Sequence, residues 1–335
     1  MSRYYSLTLT PQGATTPART WTSHPNGIYD PGALQIEYDA LVGPYGTPTG
    51  GSTIHVHGVP LQDLGQAQQF SGMTLVLKAG MASPGLPLIN PSQAGTILQG
   101  TVFQTFGNWE SVDQTIDFTV IPGIYTAGNP GNFLLNWTAG QQLSAALTQT
   151  FSVAYPGVQV SMNISADLVQ NHDEPHICGT LDQLAQVVGD ITEGVFDNRV
   201  TIGIQGGKIV VYDNTYRPGP IQLNFNDFVG QPTWIGVNTI QLKMVARADL
   251  QLGAIVRMPQ GLQNAPGVIT TTAAATPSTV KYQTAFQNNF IVQELRQIGN
   301  FRSPDATQWA TIVNCLVIPK TPSVTIGTPT VVGPA

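Results

Sequence analysis

The stretch FGNWESVDQTIDFTVIP, residues 106–122, decides the fold class, because its pattern occurs twice in the chain. Gly107-Asn108-Trp109, followed by an alternating strand that closes on Val120-Ile121-Pro122, recurs as Gly299-Asn300-Phe301, followed by a strand that closes on Val317-Ile318-Pro319. Alternation of apolar and polar residues is the period of a half-buried β-strand. The repeat therefore predicts two similar β modules, each built around a hairpin.

β-rich runs precede both copies, at residues 96–106 and 290–298, so the repeated unit is a hairpin with its flanking strands. A chain that carries two copies of one module presents, as a trimer, six similar positions around one axis. This is a structural role, and it needs no catalysis.

The composition indicates a surface that other subunits cover. Charged residues make up 10% of the 335 residues and hydrophobic residues 41%, whereas about a quarter of the residues of ordinary soluble domains are charged. A lone protein with so few charges is poorly protected against association. The 13 basic and 19 acidic residues, with a net charge of -6, also argue against stable nucleic-acid binding, because that binding depends on Lys and Arg neutralising phosphates.

Cysteine content and terminal sequence predict the compartment. Cys178 and Cys315 are the only cysteines and lie in no CxxC motif, which favours reduced thiols and intracellular assembly. Residues 1–10 lack the pattern of a signal peptide, and no apolar run approaches the roughly 18 residues of a membrane span. The sequence therefore predicts intracellular assembly and no membrane span.

Four segments are predicted along the chain. A first β domain spans residues 1–123, with strands at residues 33–40, 52–59, 73–78, 96–106 and 115–121. A second β domain spans residues 218–319, with strands at residues 221–228, 240–246, 254–258, 290–298 and 309–318. Residues 320–335 form an extended C-terminal arm, which carries three prolines and no periodicity.

The middle domain, residues 124–217, is the one part with helical periodicity. Helices are predicted at residues 140–151 and 180–193. Thr180 and Gln183 form a capping box at the start of the second helix. Gly206-Gly207 predicts a hairpin between strands at residues 200–205 and 208–212, and the apolar stripes of both helices are expected to pack on it.

Two groups of residues resemble a known family. The first group is Gly80-Met81, Gly85-Leu86-Pro87-Leu88, Gly95-Thr96-Ile97 and Gly107-Asn108-Trp109. The second group is Phe228-Val229-Gly230-Gln231-Pro232-Thr233-Trp234, Arg247-Ala248-Asp249, and Phe290 through Gly299-Asn300-Phe301-Arg302 to Trp309. Together they resemble the two tube-forming domains of the central baseplate hub proteins of contractile-tailed bacteriophages, a family of trimeric tail hubs. The chain is shorter than the larger hubs of T-even phages.

The resemblance implies a mainly β protein with a minor α+β insertion, in which two similar tube-forming β-barrel domains flank a middle domain with two helices. It implies a homotrimer with pseudo-sixfold symmetry in the tail baseplate of a virion. The implied partners are the hexameric tail tube protein, the trimeric central spike and other baseplate proteins. The resemblance also implies that DNA passes through the lumen during genome ejection without stable binding. The resemblance supplies no catalytic residue, no cofactor and no metal site.

Two segments contain histidines that could serve as metal ligands. The segment from His172 to Cys178 contains every favoured ligand type within seven residues, but it lacks the spacing of a zinc motif. A polar turn before the helix capped by Thr180 explains the same residues. His55 and His57 share one face of a strand, and without a third ligand nearby a partly buried structural role is preferred.

Hydrolase patterns are absent from the sequence: it has no Gly-x-Ser-x-Gly, no His-Glu-x-x-His and no P-loop. The acid pairs Glu110 with Asp113 and Asp227 with Asp249 have the residue types of a glycosidase site, although Asp227 and Asp249 are more simply explained as turn and strand-end residues.

Four tryptophans offer a sugar-stacking platform or packing at barrel ends. They are Trp109, Trp137, Trp234 and Trp309.

The sequence favours a non-enzymatic structural hub that adapts the tail tube to the spike. The alternative is a receptor-binding or glycan-degrading tail component. The internal duplication separates the two, because an adaptor needs it and a glycanase does not.

Overall fold

The chain is mainly β, as the sequence predicts. The computed structural model describes residues 2–45, 51–82, 93–123, 131–214, 219–236, 238–259 and 289–318. Within these residues antiparallel strands dominate, and the helices are short and few. The predicted motif residues 85–88 and the predicted arm at residues 320–335 lie outside the described residues.

The strands fall into three groups along the chain. The first is β1 (Ser2–Thr10), β2 (Arg19–Thr22), β3 (Gln35–Val42), β4 (Ser52–His57), β5 (Thr74–Ala82), β6 (Gly95–Glu110) and β7 (Asp113–Pro122). The second is β8 (Phe133–Trp137), β9 (Val160–Asn163), β10 (Glu174–Cys178), β11 (Thr201–Gln205) and β12 (Lys208–Tyr212). The third is β13 (Ile221–Gln222), β14 (Thr233–Trp234), β15 (Thr239–Val245), β16 (Ile255–Arg257), β17 (Asn289–Asn300) and β18 (Trp309–Val317). The helices are α1 (Leu61–Gly65), α2 (Leu143–Ala154) and α3 (Leu181–Phe196).

The first and third groups have the same strand order. Neighbouring strands run β3-β4-β7-β6-β5-β1 in the first group and β14-β15-β18-β17-β16-β13 in the third. Each strand therefore has a counterpart at the same place in chain order, and only β2 is additional. One pairing differs, because β1 is antiparallel to β5 whereas β13 is parallel to β16. The shared connectivity is the pattern expected of a duplicated module.

The two modules join edge to edge within the chain. β17 pairs with β3 from Leu295 opposite Val42 to Asn300 opposite Glu37. The strands of both modules thus belong to one sheet, which the described residues leave as an open path from β14 to β2. The ring of Trp21 on β2 lies over Phe118 on β7, with centroids 6.2 Å apart, so the sheet of the first module curls over its own core.

Three apolar cores lie behind this sheet and in the middle segment. Phe301 and Trp309 of the second module complete the core of the first, and Val42 of the first module lies in the core of the second. The middle core unites α2 and α3 with β8, β10 and the β11–β12 hairpin. Cys178 and Cys315 are free and buried in different cores.

The helical predictions hold with shifted ends. Helix α2 begins at Leu143 because Gly140, with φ of 79°, lies in a turn and does not continue a helix. Thr180 Oγ1 accepts a hydrogen bond from Gln183 N at 3.1 Å, which confirms the cap of α3. The side chain of Gln183 accepts from the amide of Gly179, one residue before the cap. The predicted contact of both helices with the Gly206-Gly207 hairpin is confirmed by their common core.

Three expectations were wrong in detail. The strand predicted at residues 221–228 ends at Gln222, because Asn224 and Asp227 cap a short 3-10 turn by reciprocal side-chain hydrogen bonds. Strands β1, β2, β8, β9, β10 and β14 were not predicted. The segment before α3 is therefore not a polar turn, since Glu174–Cys178 is a strand paired with β8.

The two Gly-Asn-aromatic motifs do not occupy equivalent turns. Gly107 lies inside β6 opposite Ile116, and the hairpin turns three residues later, whereas Gly299 lies at the end of β17 opposite Trp309. Trp109 is 63% exposed and Phe301 is 7% exposed, so they are not equivalent packing corners. The two glycines do share a role: an added Cβ would overlap the backbone of α1 at Gly107 and the ring of Tyr38 at Gly299.

Candidate functional site

The sheet has one apolar face toward the cores and one polar face. β3 and β4 alternate strictly between buried and half-buried residues, and β15 does the same. Alternation of this kind places every second side chain on the face away from the core. We call this surface, formed by β3, β4, β7, β15, β17 and β18, the polar face.

Hydrogen bonds cross the module junction along the polar face. Arg296 on β17 donates to both carboxylate oxygens of Asp39 on β3, at 2.8 and 2.5 Å. Asn300 Nδ2 donates to Glu37 Oε1 at 2.8 Å. The bond to Asp39 raises the pKa of Arg296 above its usual value. Since both partners are about half exposed, this ion pair fixes geometry more than it adds stability.

The acids of the polar face exceed its bases. Among the described residues of its strands the carboxylates are Glu37, Asp39, Asp113, Asp117 and Glu294, and the permanent cations are Lys243 and Arg296. Lys and Arg are the groups that hold phosphates. The polar face therefore has few of the side chains that bind the phosphates of a nucleic acid.

His55 and His57 lie on this face, as predicted. His55 Nδ1 is 2.7 Å from Asp117 Oδ1, and the other oxygen of Asp117 accepts from Asn108 at 2.6 Å. His57 Nε2 is 3.9 Å from Glu37 Oε1. No three His, Cys, Asp or Glu side chains in the described part of the chain meet in an arrangement that holds a metal ion.

The His172 to Cys178 segment forms a small bridge around one carboxylate. Glu174 accepts from His172 Nε2 at 2.6 Å through one oxygen and from His176 Nε2 at 2.9 Å through the other. These hydrogen bonds lower the pKa of Glu174 below its ordinary value of 4.5. Cys178 points into the middle core instead, where burial raises the pKa of its thiol. The segment therefore brings His172, Glu174 and His176 together. The thiol of Cys178, which a zinc site would use as a thiolate, lies apart from them.

Asp227 and Asp249 meet around a buried arginine. Arg247 donates to both oxygens of Asp249 at 2.8 and 2.6 Å and to Asp227 Oδ2 at 3.2 Å. The side chain of Arg247 is 3% exposed. Burial lowers the pKa of Arg247, but the two carboxylates outweigh it and hold the pKa above its usual value. Both acids are thus bonded to one buried cation, as in a structural ion-pair cluster.

This ion-pair cluster also touches the other module. Gln93 Nε2 is 3.4 Å from Asp227 Oδ1, and Gln93 O accepts from Ala248 N at 2.9 Å. Arg247 was part of a sequence motif, but its pairing with the acids was not foreseen. The signal was the Arg-x-Asp spacing at the end of β15, which places both side chains on one side of an extended chain.

Glu110 and Asp113 come together at the tip of the β6–β7 hairpin, where they are cross-strand neighbours. An open cavity of about 520 Å³ lies beside them. Its lining is His57, Asn108, Trp109, Glu110, Asp113 and Thr115. Trp109 is largely exposed, whereas Trp137 and Trp309 are buried in cores, so only Trp109 of these three offers a free ring face.

Comparison with known proteins gives structural likenesses at low identity. No family model matches the chain, and no curated protein matches it. A tail protein from Neisseria meningitidis MC58 aligns with a TM-score of 0.48 at 9% identity, over 95% of this chain and 97% of that one. The 43 kDa tail protein of prophage MuSo2 from Shewanella oneidensis aligns with a TM-score of 0.45 at 8% identity, over 95% and 99%.

A third likeness is to an E. coli component of the type VI secretion system, described as structurally similar to the T4 bacteriophage tail proteins gp27 and gp5. Its TM-score is 0.43 at 8% identity, over 85% of this chain and 73% of that one. With TM-scores below 0.5, these likenesses carry no conclusion about function. The helices of the described residues are too short or too polar to cross a bilayer.

Proposed function

We propose that the protein is a structural baseplate hub of a contractile phage tail. In this role it is a homotrimer with pseudo-sixfold symmetry that adapts the hexameric tail tube to the trimeric central spike. The observation that carries the proposal is the pair of modules with identical strand order, joined edge to edge through β17 and β3. It agrees with the family resemblance of the sequence.

The physical reason for the duplication is symmetry. A sixfold ring and a threefold needle share an axis only if one protein offers six similar surfaces on one side and three on the other. Three chains with two modules each supply the six, and the unduplicated middle segment supplies the three. We propose the division at residues 1–123, 124–217 and 218–319 on this ground, with residues 320–335 as an arm that docks on a neighbour.

The polar face suits the wall of a channel. In a ring of six modules one face of the sheet would meet the apolar cores and the other the lumen. Excess carboxylates and paired charges would let DNA slide through instead of binding. Sub-micromolar, salt-sensitive DNA binding by the purified protein would contradict a lumen of this kind.

Native mass measurement of the purified 35.7 kDa chain tests the oligomer, and the expected result is a trimer. Imaging of the trimer after mixing with tube and spike proteins tests the place in the tail, and the expected result is a ring between them. A stable monomer, or a trimer that binds neither partner, would refute the proposal.

A second candidate function is carbohydrate binding or cleavage by a tail component. The cavity at the hairpin tip favours it, because Trp109 offers a ring face beside the acids Glu110 and Asp113. Sugars stack on exposed aromatic rings, and paired acids serve glycosidases. Cell-wall zymograms and binding of soluble glycan fragments test it, with Trp109→Ala and Glu110→Gln as variants. Activity that both variants abolish would favour this function over the hub.

A further inference from the structure

Strand β6 has an open edge in its second half. β6 pairs with β7 as far as Glu110, but its other edge pairs with β5 only from Gly95 to Thr101. Hydrogen bonds of Val102 with Gly72 and Met73 end that ladder. Beyond a bond from the Ser71 hydroxyl to the carbonyl of Phe103, no strand of the described chain covers this edge. Open strand edges are sites of further strand pairing.

The corresponding edge in the second module is covered. β17 pairs with β16 at Asn289–Ile291 and then with β3 at Leu295–Asn300. Each of the two strands has a bulge where it pairs with its hairpin partner, at Phe103 in β6 and at Gln293 in β17, and aligning the bulges superimposes residues 105–110 of β6 on residues 295–300 of β17. The open part of β6 is therefore the counterpart of the part of β17 that β3 covers.

The counterpart of β3 in the second module is β14, which ends the sheet on its far side. Cross-strand rows fix the equivalence. The row next to the bulge in the first module is Thr119, Thr53 and Asp39, and the row next to the bulge in the second is Asn314, Gln241 and Thr233. Thr233 therefore takes the place of Asp39.

We propose that the open edge of β6 receives β14 of a second copy of this chain, antiparallel and in the register that β3 has on β17. The inference rests on the proposed homotrimer and specifies the contact that closes its ring. Since Asp39 lies opposite Ile298 and Leu41 opposite Arg296, the register places Thr233 opposite Asn108 and Ile235 opposite Phe106. Repetition of this contact around a threefold axis uses the β6 edge and the β14 edge of each chain once.

The side chains at both edges fit this pairing. Phe106 is 52% exposed and Ile235 is 51% exposed, so the register joins two apolar groups that each chain leaves in solvent. An aromatic residue opposite a β-branched one is a favourable cross-strand pair. The hydroxyl of Thr105, on the inner side of the same edge, is buried and has no hydrogen-bond partner among the described residues. A second copy is the fitting partner because one chain carries both halves of the contact.

Disulfide cross-linking tests the register. Asn108→Cys and Thr233→Cys are combined in one chain, since opposed strand residues have the Cα separation of a disulfide. Under mild oxidation the expected products are covalent dimers and trimers on non-reducing gels. Neither single variant should cross-link between chains, because the native thiols of Cys178 and Cys315 are buried.

Two matched pairs serve as controls. Glu37→Cys with Asn300→Cys should close inside one chain, with loss of thiols and no gain in subunit number. Asn108→Cys with Glu37→Cys should not cross-link, because β3 and β6 are separated by two strands. A native trimer in which the Asn108/Thr233 pair stays uncross-linked would overturn the register and leave the proposed function standing. A monomeric parent protein would overturn both.

Discussion

Replacement of Arg247 by methionine should destabilise the protein more than any exposed charge does. Methionine keeps most of the side-chain volume and removes the charge. The change leaves Asp227 and Asp249 buried, with side chains 9% and 11% exposed, and without the three hydrogen bonds at 2.6 to 3.2 Å that now neutralise them. Removing one partner of a buried ion pair costs about 3–5 kcal/mol, because the remaining charge keeps its desolvation penalty.

The matched control is Arg296→Met. Arg296 makes an ion pair of the same chemistry with Asp39, but its side chain is 52% exposed. Exposed pairs contribute about 0–1 kcal/mol. Both variants are compared with the parent by urea and thermal unfolding. The expected loss for Arg247→Met is a fall in Tm of roughly 6–20 °C, at about 2–4 °C per kcal/mol.

A triple variant separates the charge from the packing. Arg247→Met combined with Asp227→Asn and Asp249→Asn leaves no uncompensated charge, and replacement of a complete buried ion pair is often close to neutral. We expect it to recover most of the stability lost by Arg247→Met. Equal losses for Arg247→Met and Arg296→Met, or no recovery in the triple variant, would refute the reasoning.

Three further predictions follow from single contacts. Leu184→Asp puts an unpaired charge into the middle core, where Leu184 is 0% exposed, and should lower the free energy of urea unfolding by several kcal/mol. The control Val195→Asp, on the exposed side of the same helix, should cost little. Equal stabilities of the two variants would show that the Leu184 face of α3 is not packed. Gly299→Ala should lower the free energy of unfolding by about 1–3 kcal/mol, because the added Cβ would overlap the ring of Tyr38. The control Gly194→Ala adds a Cβ that meets open space in α3 and should be neutral or stabilising. A Gly299→Ala variant as stable as the parent would disprove the close approach of Gly299 to Tyr38. The pKa of Glu174 is lowered in the folded state, so the ionised side chain stabilises the fold above its ordinary pKa of 4.5, and this stabilisation is lost as the pH falls below that value. Between pH 7 and pH 3 the Tm of Glu174→Gln should therefore fall less steeply than the Tm of the parent. Parallel Tm curves would contradict this.

The duplicated fold was predictable because a hairpin with alternating residues is a local pattern. The helix cap at Thr180 was also predictable, since it depends on residues three apart. The open edge of β6 was not predictable, because it depends on where the pairing with β5 stops. In the cluster around Arg247, the Arg-x-Asp spacing indicates the contact with Asp249, but the contacts of Asp227 with Arg247 and with Gln93 join residues 20 and 134 positions apart. The same limit explains the error at Trp109: both motifs read alike in sequence, but β3 and the first core cover Phe301, and no described strand covers the edge beside Trp109.

The two module contacts differ in chemistry as the proposed ring requires. Within one chain, β3 and β17 are held at high effective concentration, and their contact on the polar face is made of half-exposed polar pairs such as Arg296 with Asp39. A contact between separate chains has no such advantage and must offset the entropy of association with buried apolar area. At the open edges Phe106 takes the place of Arg296 and Ile235 takes the place of Leu41, and both apolar side chains are exposed. When one of two equivalent junctions between duplicated modules becomes a subunit interface, its polar side chains are expected to be replaced by apolar ones. The difference between the two module contacts is of this kind.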